Sequence, residues 1–486
     1  MKKIVLCILD GFGYSEKIVG NAILEAKFIN ALFNKGNSAL LDASETSVGL
    51  PAGQFGNSEV GHLTIGSGRI LKQKLPLITD SITSGELAKN PDLINFLSTI
   101  QNNTCHIMGL FSNGGVHSDI NHFFWAIQFL RTKNINIKAH LFLDGRDVGY
   151  RDALNTLKNA INSNKISLSE IATIQGRFYA MDRDMRLDRT EAAYEAIVNA
   201  KGCLKTKDPI SAIQSFYDQD TNDEQIPQII LENYNGADKG DSFWMLNFRT
   251  DRIKQILNLL QSNNFRIMNM VNCDDEIDSK ATILFKQEIV KNTLGEVLSN
   301  NKIKQLRIAE TEKYAHVTYF FNGGEDVQYP LEDRFLINSP AVKDYATTPD
   351  MSAKEITNKL IETIKAGDYQ VIIANFANAD MVGHTGNFEA TKDSINSLDL
   401  HIRDILQVAK NSEYDVILTS DHGNAEEMIN SDLTPQKAHT CAKVPFIFVS
   451  HINVTRKTGE LSDIAPTILK YLGINIPSEM TGTPLI

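Results

Sequence analysis

The sequence lacks long apolar runs and an excess of basic charge. No apolar run approaches the roughly 18 residues that a membrane-spanning helix needs. The N-terminal run from Ile4 to Leu9 ends at Asp10, which predicts a buried strand and not a signal peptide. The net charge of −11, from 48 Lys and Arg against 59 Asp and Glu, argues against a nucleic-acid-binding surface.

Cysteine is scarce, and its distribution excludes two kinds of site. The cysteines are odd in number, lie far apart and form no Cys-x-x-Cys pair, so neither a disulfide framework nor a zinc knuckle is predicted. A reducing cytoplasm fits this usage best. The five residues are Cys7, Cys105, Cys203, Cys273 and Cys441.

Common nucleotide and nucleophile motifs are also missing. The sequence contains no G-x-x-x-x-G-K-[ST] loop and no G-x-G-x-x-G fingerprint, so neither a P-loop nor a standard dinucleotide site is supported. The G-x-S-x-G elbow of serine hydrolases fails at Ser58, because Glu59 is followed by Val60. Any anion must therefore be held by other means.

Short apolar runs that alternate with longer stretches of helical periodicity are the main feature that is present. This alternation is typical of α/β domains with largely parallel sheets. Ligands of such sheets bind beyond the carboxyl ends of the strands, so the polar residues that follow each run are candidates for chemistry. Runs that end in polar clusters include residues 3–10, 137–147, 241–252, 370–380 and 415–424.

The chemistry of these strand ends differs along the chain. Aspartate and histidine follow runs near both ends of the sequence, whereas arginine follows runs in the middle. This order predicts two α/β domains, the second inserted into the first. The outer domain would comprise residues 1–74 and 288–486, and the inserted domain residues 75–287, with crossings near residues 72–79 and 278–291.

Aspartates and histidines form the first candidate site. An isolated Asp-His pair is more often a structural hydrogen bond than a metal ligand set, but six such residues without nearby cysteine suit Mn²⁺, Zn²⁺ or Fe²⁺. Six ligands exceed the need of one ion, and two ions could activate a hydroxyl and stabilise phosphoryl transfer. The residues are Asp10, Asp380, His384, Asp421, His422 and His439.

Ser58 is the candidate hydroxyl. It lies in GNSEVGHLTIGSG, residues 56–68, where a serine would ordinarily satisfy backbone groups of a glycine-rich turn. A metal cluster elsewhere in the chain would supply an activator and favour a catalytic role instead. Both interpretations remain open from the residues alone.

Arginines form the second candidate site. Each could be a solvated surface charge, the usual environment of arginine. Three separate strand ends nevertheless present a guanidinium, and Arg249 and Arg252 stand three apart where a helix is expected to start. Such forks bind phosphate or carboxylate, so the pattern predicts a small anion with several charges. The set is Arg146, Arg177, Arg183, Arg249 and Arg252.

Ten segments in order, from residue 8 to residue 482, carry a family resemblance. They are ILDGFG, GLPAGQFGNSEVGHLTIGSGR, GGVHS, FLDGRD, GRFYAMDRD, FRTDR, LRIAETEKYAHVTYFFNGG, ADMVGHTG, SDHGN and EMTG. Together they resemble the cofactor-independent phosphoglycerate mutases of the alkaline phosphatase superfamily. Thr250 and Ala379 replace a common alanine and a common proline, and neither change removes a functional side chain.

The resemblance implies a fold and a set of residue roles. The outer domain would be alkaline-phosphatase-like, and the inserted domain would bind substrate. Ser58 would become phosphoserine, and Asp147 would move a proton between the glycerate hydroxyls, with Lys313 as a further catalytic and substrate-binding residue. One ion would be held by Asp10, Ser58, Asp421 and His422, and the other by Asp380, His384 and His439. Phosphoglycerate would be bound by His117, Arg146, Asp147, Arg177, Arg183, Arg249, Arg252 and Lys313.

The expected activity is the interconversion of 3-phosphoglycerate and 2-phosphoglycerate in glycolysis and gluconeogenesis. The resemblance implies two divalent ions, manganese above others, and no 2,3-bisphosphoglycerate. We expect a cytoplasmic monomer that acts on a small molecule, without nucleic acid or membrane. The alternatives are a related metal-dependent phosphatase or other phosphomutase, and a non-enzymatic metal or phosphosugar binding protein. Sulfatases are disfavoured because the C/S-x-P-x-R motif is absent.

Overall fold

The computed structural model describes residues 2–100 and 104–486. The chain divides into two compact units. Unit 1 combines the residues up to Gln73 with Ile289–Ile486, and unit 2 comprises Lys74–Glu288. Each unit contains a mixed, mostly parallel sheet of eight strands flanked by helices. The predicted α/β class with largely parallel sheets is confirmed.

The described residues form sixteen strands. They are β1 (Lys3–Leu9), β2 (Ser38–Asp42), β3 (Thr104–Leu110), β4 (Asn136–Leu143), β5 (Ile171–Gly176), β6 (Leu204–Thr206), β7 (Ile229–Leu231), β8 (Ser242–Met245), β9 (Arg266–Val271), β10 (Ala281–Phe285), β11 (Gln305–Glu310), β12 (Glu332–Ile337), β13 (Val371–Phe376), β14 (Tyr414–Thr419), β15 (Val444–Val449) and β16 (Thr458–Glu460).

The α-helices follow the same order. They are α1 (Lys27–Asn34), α2 (Ser58–Ser67), α3 (Lys74–Thr83), α4 (Pro91–Ser98), α5 (Ile120–Thr132), α6 (Ala153–Asn162), α7 (Arg177–Ala180), α8 (Leu187–Asn199), α9 (Pro209–Tyr217), α10 (Lys254–Ser262), α11 (Asp275–Asp278), α12 (Leu294–Asn300), α13 (Thr311–Ala315), α14 (Ala353–Ala366), α15 (Asn378–Gly383), α16 (Phe388–Asn411) and α17 (Ile464–Leu472). No described helix is both long enough and apolar enough to span a membrane.

The sheet of unit 1 has the order β12-β11-β13-β1-β14-β15-β2-β16. Its pairings are parallel except on the two sides of β15. Strand β1 lies inside the sheet, with Leu6 paired to Ile373 on one side and to Ile417 on the other. Its side chains alternate between two buried cores, one on each face of the sheet. A parallel strand covered on both faces needs a continuous apolar sequence, which explains the run in β1.

The sheet of unit 2 has the order β10-β9-β8-β3-β4-β5-β7-β6. It is parallel apart from the β5–β7 pair. Two cores again cover the two faces, and Trp244 of β8 packs into one while Phe243 packs into the other. Regular structure also occupies stretches where sequence periodicity is weak, since α3 begins at Lys74 and β10 ends at Phe285.

Three neighbouring strands of unit 1 bring the acidic residues together. Strands β13, β1 and β14 are parallel, so their carboxyl ends lie at the same edge of the sheet. Asp10 follows β1 directly, Asp380 lies in α15 just after β13, and Asp421 comes two residues after β14. The topology therefore gathers residues that are hundreds of positions apart in the sequence.

Helix α2 carries Ser58 to the same edge. The side chain of Asn57 caps the helix by accepting a hydrogen bond from the Val60 amide at 3.0 Å. Two glycines allow close packing, because a Cβ on Gly61 would lie 2.6 Å from the carbonyl oxygen of Asp421, and one on Gly66 would lie 2.0 Å from that of Phe321. The glycines thus let α2 approach the backbone beside the candidate site.

We expect Gly66→Ala to destabilise unit 1. The new methyl group would collide with a backbone carbonyl that cannot rotate away, and overpacking of this kind costs about 1–3 kcal/mol. Urea unfolding should show a lower midpoint than wild type. Asn358→Ala, at an exposed position of α14, is the control and should change stability by less than about 0.5 kcal/mol. A Gly66→Ala midpoint equal to wild type would contradict the packing of α2.

Candidate metal and anion sites

One cluster in unit 1, called here the acidic–histidine cluster, contains every Asp and His predicted as a metal ligand. Two triads within it each have ligand atoms that lie within 4.8 Å of one another. Ser58 and Lys313 complete the cluster through hydrogen bonds to its carboxylates. The triads are Asp380 with His384 and His439, and Asp10 with Asp421 and His422.

The first triad has imidazoles oriented for metal binding. Nε2 of His384 and Nε2 of His439 lie 3.2 Å and 3.0 Å from the same carboxylate oxygen, Oδ1 of Asp380. Each Nδ1 lies 2.8 Å from a main-chain carbonyl oxygen, of Lys437 and Gly56 respectively, so each Nδ1 carries the hydrogen. In the neutral rings both Nε2 lone pairs would face each other across 2.9 Å, so the contact calls for either a proton on one ring or a bound cation.

The second triad is fully buried. The Ser58 hydroxyl lies 3.1 Å from Oδ1 of Asp10 and 2.9 Å from Nε2 of His422. Oδ2 of Asp421 is buried and accepts no well-directed hydrogen bond within the described ranges, and its near polar neighbour is Nδ1 of His62 at 3.1 Å. A buried carboxylate oxygen without a donor is costly, and a coordinated cation would satisfy it. The carboxylate and imidazole donors of both triads fit a divalent metal such as Mn²⁺, Zn²⁺ or Fe²⁺.

Lys313 places a positive charge inside this cluster. Its Nζ donates to Oδ1 of Asp10 at 2.7 Å, to the Ser58 hydroxyl at 2.8 Å and to Oδ2 of Asp380 at 2.5 Å. Burial alone would lower the pKa of Lys313, but the charges of Asp10 and Asp380 outweigh it and raise that pKa. Lys313 is therefore an ammonium group aimed at the serine oxygen.

The same carboxylates act on the histidines. Burial would lower the pKa of His422, but the charges of Asp421, Asp380 and Asp10 raise it to about 10. A hydrogen bond to Asp380 raises the pKa of His384. Without a metal, the cluster therefore retains protons at neutral pH on atoms that a metal would use.

Three buried residues in or beside the surroundings of this cluster were missed by sequence reasoning. His62 and Asn375 are hydrogen-bonded to each other and contact Ser58 and Asp10. Glu426 accepts hydrogen bonds from the Asn424 amide and from Thr440, the residue after His439. His62 lies four residues after Ser58 in the sequence, but no sequence pattern identifies a partner for it.

Unit 2 gathers the predicted anion-binding residues at the carboxyl edge of β8, β3, β4 and β5, which are neighbours in its sheet. His117 lies between β3 and α5, and Arg146 and Asp147 follow β4. Arg177 begins α7 immediately after β5. The remaining members are Arg183, which follows α7, and Arg249 and Arg252, which follow β8.

Arg249 and Arg252 differ from the sequence prediction in one respect. Helix α10 begins at Lys254, so both arginines lie in the loop before it and not at its first turn. Nε of Arg249 lies 3.3 Å from Oδ1 of Asp251, and its side chain is 54% exposed. The side chains of Arg146 and Arg183 are similarly open, at 48% and 52%. These guanidinium groups are accessible to an anion from solvent.

Arg177 is the buried member of the set. One nitrogen, Nη1, donates to Asp144 and to Asp147, both at 2.6 Å. Burial would lower the pKa of Arg177, but these hydrogen bonds raise it. Asp147 is thereby held at a fixed position, and Nε2 of His117 lies 3.8 Å from its carboxylate. Burial, with the neighbouring charge of Arg177, lowers the pKa of His117 to about 4, so His117 is neutral.

Positive charge in this cluster exceeds what its carboxylates neutralise. Burial and the like charges of Arg183, Arg146 and Arg177 lower the pKa of Arg252. A bound anion would stabilise the charged form of a guanidinium group whose neighbours disfavour that form. The arrangement therefore fits a small anion with several negative charges, such as a phosphorylated carboxylic acid.

Comparison with known proteins gives consistent family matches. The model of a family described as the Metalloenzyme superfamily matches residues 2–476. A protein of Ehrlichia ruminantium (strain Welgevonden) is 44% identical over 498 residues, covering 99% of this chain and 98% of its own length. A protein of Methanococcoides burtonii is 45% identical over 507 residues, with the same coverage. Both are named 2,3-bisphosphoglycerate-independent phosphoglycerate mutase.

A solved structure is similar as well. It is described as phosphoglycerate mutase of Leishmania mexicana at low cobalt concentration. The two structures match with a TM-score of 0.63 at 25% sequence identity, over 99% of this chain and 97% of the other. The similarity therefore extends over both units, not over the cluster of unit 1 alone.

Metal binding should release protons and weaken as the pH falls. Because the pKa of His422 is raised to about 10, its imidazole is protonated at pH 7 and must lose the proton to bind a metal. For each proton displaced, the Mn²⁺ dissociation constant should rise about tenfold when the pH falls by one unit, as expected when protons and metal compete for one site. Mn²⁺ titration in weakly buffered solution at pH 6, 7 and 8 measures both quantities. Binding without proton release would contradict ligation by His422.

Proposed function

We propose that the chain interconverts 3-phosphoglycerate and 2-phosphoglycerate, because it belongs to the family of 2,3-bisphosphoglycerate-independent phosphoglycerate mutases within the Metalloenzyme superfamily. The observation that carries the proposal is the position of the Ser58 hydroxyl. It lies within 3.1 Å of Asp10, His422 and Lys313, which is the environment of an activated nucleophile and not of a turn serine.

The acidic–histidine cluster would hold two divalent ions, and manganese is the proposed metal. Asp10, Ser58, Asp421 and His422 would bind one ion, and Asp380, His384 and His439 the other. When bound, the ions lower the pKa of the Ser58 hydroxyl and neutralise charge on the phosphoryl oxygens. Two observations support this assignment: the Nε2 atoms of His384 and His439 face each other, and the buried Oδ2 of Asp421 accepts no well-directed hydrogen bond within the described residues.

Ser58 stores the phosphoryl group during the reaction. Its Oγ forms a bond to phosphorus as the bond between phosphorus and the glycerate oxygen breaks, which leaves phosphoserine and glycerate. The ammonium group of Lys313 lies 2.8 Å from Oγ, where it stabilises the negative charge that develops on the transferred group. The reverse transfer, to the other glycerate oxygen, completes the mutase reaction without 2,3-bisphosphoglycerate.

The arginine cluster of unit 2 holds the glycerate. Arg146, Arg183, Arg249 and Arg252 would bind its carboxylate and phosphate, with His117 and Arg177 nearby. Asp147 gives a proton to the glycerate oxygen that leaves phosphorus, and it later takes the proton from the hydroxyl that is about to be phosphorylated, so that its own proton is restored. Arg177 donates hydrogen bonds to both Asp144 and Asp147, which keeps Asp147 in place for this transfer. Unit 1 is thus proposed as the phosphatase-like domain and unit 2 as the substrate domain.

The same proposal covers the partners of the protein, its oligomeric state and its compartment. The substrate is a small molecule, and nucleic acid and membranes have no part in the reaction. The enzyme is proposed to act as a monomer in the cytoplasm.

One assay separates the proposed activity from its alternatives. The purified protein is incubated with 3-phosphoglycerate and Mn²⁺, without 2,3-bisphosphoglycerate, and both 2-phosphoglycerate and free phosphate are measured. A mutase forms 2-phosphoglycerate with little free phosphate, whereas a phosphatase releases phosphate. A binding protein forms neither product, so either of the last two results would contradict the proposal.

Ser58→Ala should abolish turnover and leave the fold intact. The change removes the oxygen that accepts the phosphoryl group, while the arginines that bind substrate remain. Ser67→Ala on the same helix removes another buried hydroxyl, which donates to the carbonyl of Arg69, and serves as the matched control. It should lose about 1 kcal/mol of stability and keep its activity. Mutase activity retained in Ser58→Ala would disprove the nucleophile assignment.

Phosphoserine itself can be detected in the wild type. Rapid acid quench with 3-phosphoglycerate, followed by mass spectrometry, should find phosphate on the peptide that contains Ser58. Phosphate on a different residue would contradict the proposed route.

Arg249→Lys should lower kcat/KM by at least tenfold, because an ammonium group cannot reproduce a planar two-point contact with an anion. One decade corresponds to about 1.4 kcal/mol of lost transition-state binding. Arg403→Lys is the control, because Arg403 lies in α16 of unit 1 and is similarly exposed, at 52%. Equal steady-state parameters for Arg249→Lys and wild type would place the anion site elsewhere.

A further inference from the structure

His62 and Asn375 form a buried pair beside the acidic–histidine cluster. His62 lies in α2, Asn375 lies in β13, and both side chains are fully buried. Nδ2 of Asn375 lies 3.0 Å from Nε2 of His62 and 2.7 Å from Oδ2 of Asp10. The pair therefore connects the helix that carries Ser58 to the first carboxylate of the cluster.

The direction of each hydrogen bond in this pair is fixed by its partners. Nδ1 of His62 lies 2.8 Å from the carbonyl oxygen of Ser58, which only accepts, so Nδ1 carries the hydrogen. In the neutral ring Nε2 is then an acceptor, and it receives a hydrogen from Asn375. The carboxylate of Asp10 accepts the second amide hydrogen, so both hydrogens of Asn375 are used. Reversing the amide would place its oxygen against two acceptors.

This arrangement determines which oxygen of Asp10 faces the reacting groups. Asn375 holds Oδ2, while Oδ1 lies 3.1 Å from the Ser58 hydroxyl and 2.7 Å from Nζ of Lys313. His62 acts on the other side of the same contact, because it fixes the main chain of Ser58. Nδ1 of His62 also lies 3.1 Å from Oδ2 of Asp421, the oxygen that accepts no well-directed hydrogen bond in the described part of the chain.

We propose that His62 and Asn375 are positioning residues, which orient Asp10 and Ser58 for metal binding and phosphoryl transfer without ligating metal themselves. The inference rests on the proposed function of the cluster. Partners of this kind, one contact removed from the ligands, typically change metal affinity by 10- to 100-fold when they are replaced. A purely structural pair would change stability and leave metal affinity unaltered.

Three substitutions test the hydrogen bonds of the pair. Two remove the hydrogen bonds of His62 one at a time, and the third removes both hydrogen bonds that Asn375 donates. His62→Asn can keep a donor at the position of Nδ1 but loses the acceptor for Asn375. His62→Gln can keep a polar atom at the position of Nε2 but loses the donor to Ser58. Asn375→Leu has a similar volume and loses both donors. His140→Asn is the matched control, because His140 is a fully buried histidine of unit 2 with hydrogen bonds to His106 and Thr173.

The primary measurement is the Mn²⁺ dissociation constant of each purified variant, read from the electron paramagnetic resonance signal of free Mn²⁺. Asn375→Leu and both His62 variants should bind Mn²⁺ 10- to 100-fold more weakly than wild type. At saturating Mn²⁺ they should lose kcat, while KM for 3-phosphoglycerate stays within about twofold, since the arginine cluster is untouched. His140→Asn should melt at a lower temperature and bind Mn²⁺ like the wild type.

Several outcomes would overturn the inference. Unaltered Mn²⁺ affinity and kcat in folded Asn375→Leu would show that the pair has only a structural role, as would equal weakening of Mn²⁺ binding in His140→Asn. If Asn375→Leu fails to fold, Asn375→Ser provides the same comparison. A wild type that binds no Mn²⁺ overturns the proposed function and this inference together, whereas an active wild type with unaltered variants overturns only the inference.

Discussion

Three carboxylates are buried at one edge of the sheet of unit 1, and positive charge must lie beside them to offset the cost of their burial. Asp10, Asp380 and Asp421 are each almost fully buried, and an uncompensated buried carboxylate is strongly unfavourable. Lys313 neutralises part of this charge through Asp10 and Asp380. Histidines whose pKa values are raised supply more, and divalent ions would supply the remainder. Affinity for cations is therefore a consequence of where the acids are buried.

The order of the strands is what makes this concentration of charge possible. Gly11, the residue after Asp10, and Asp421 are 410 positions apart along the chain, yet the Gly11 amide donates to Oδ1 of Asp421 at 3.3 Å. Parallel neighbours end at the same edge, so each strand delivers one short polar segment there. Glycines then set the spacing: a Cβ on Gly11 would lie 2.8 Å from the backbone of Asp380. The short segments that follow these strands thus determine both how closely the backbones pack and where the carboxylates lie.

Much of this arrangement could be predicted because it depends on simple patterns. Continuous apolar runs predicted the parallel strands, and polar residues after those runs pointed to Asp10, Asp380 and Asp421. The sequence could not show orientation, since the oxygen of Asp10 that faces Ser58 depends on a hydrogen bond from residue 375. His62 was missed for the same reason, because a buried histidine acquires a role only through its partners. Helix α10 begins at Lys254, just after the two arginines at which a helix start was expected, because local propensity does not locate a helix end to within a residue.

The two clusters have opposite charge, and each owes its selectivity to its own surroundings and not to the net charge of the chain. The protein is acidic overall, at −11, yet unit 2 concentrates guanidinium groups, and the pKa of Arg252 is lowered by burial and by the like charges of its arginine neighbours. At physiological salt, interactions between exposed charges fade over about 8 Å, so distant acidic residues hardly oppose an anion at these arginines. The contact between buried Arg177 and partly buried Asp147 is screened much less. Local construction thus allows one acidic chain to offer a candidate cation site in one unit and a candidate anion site in the other.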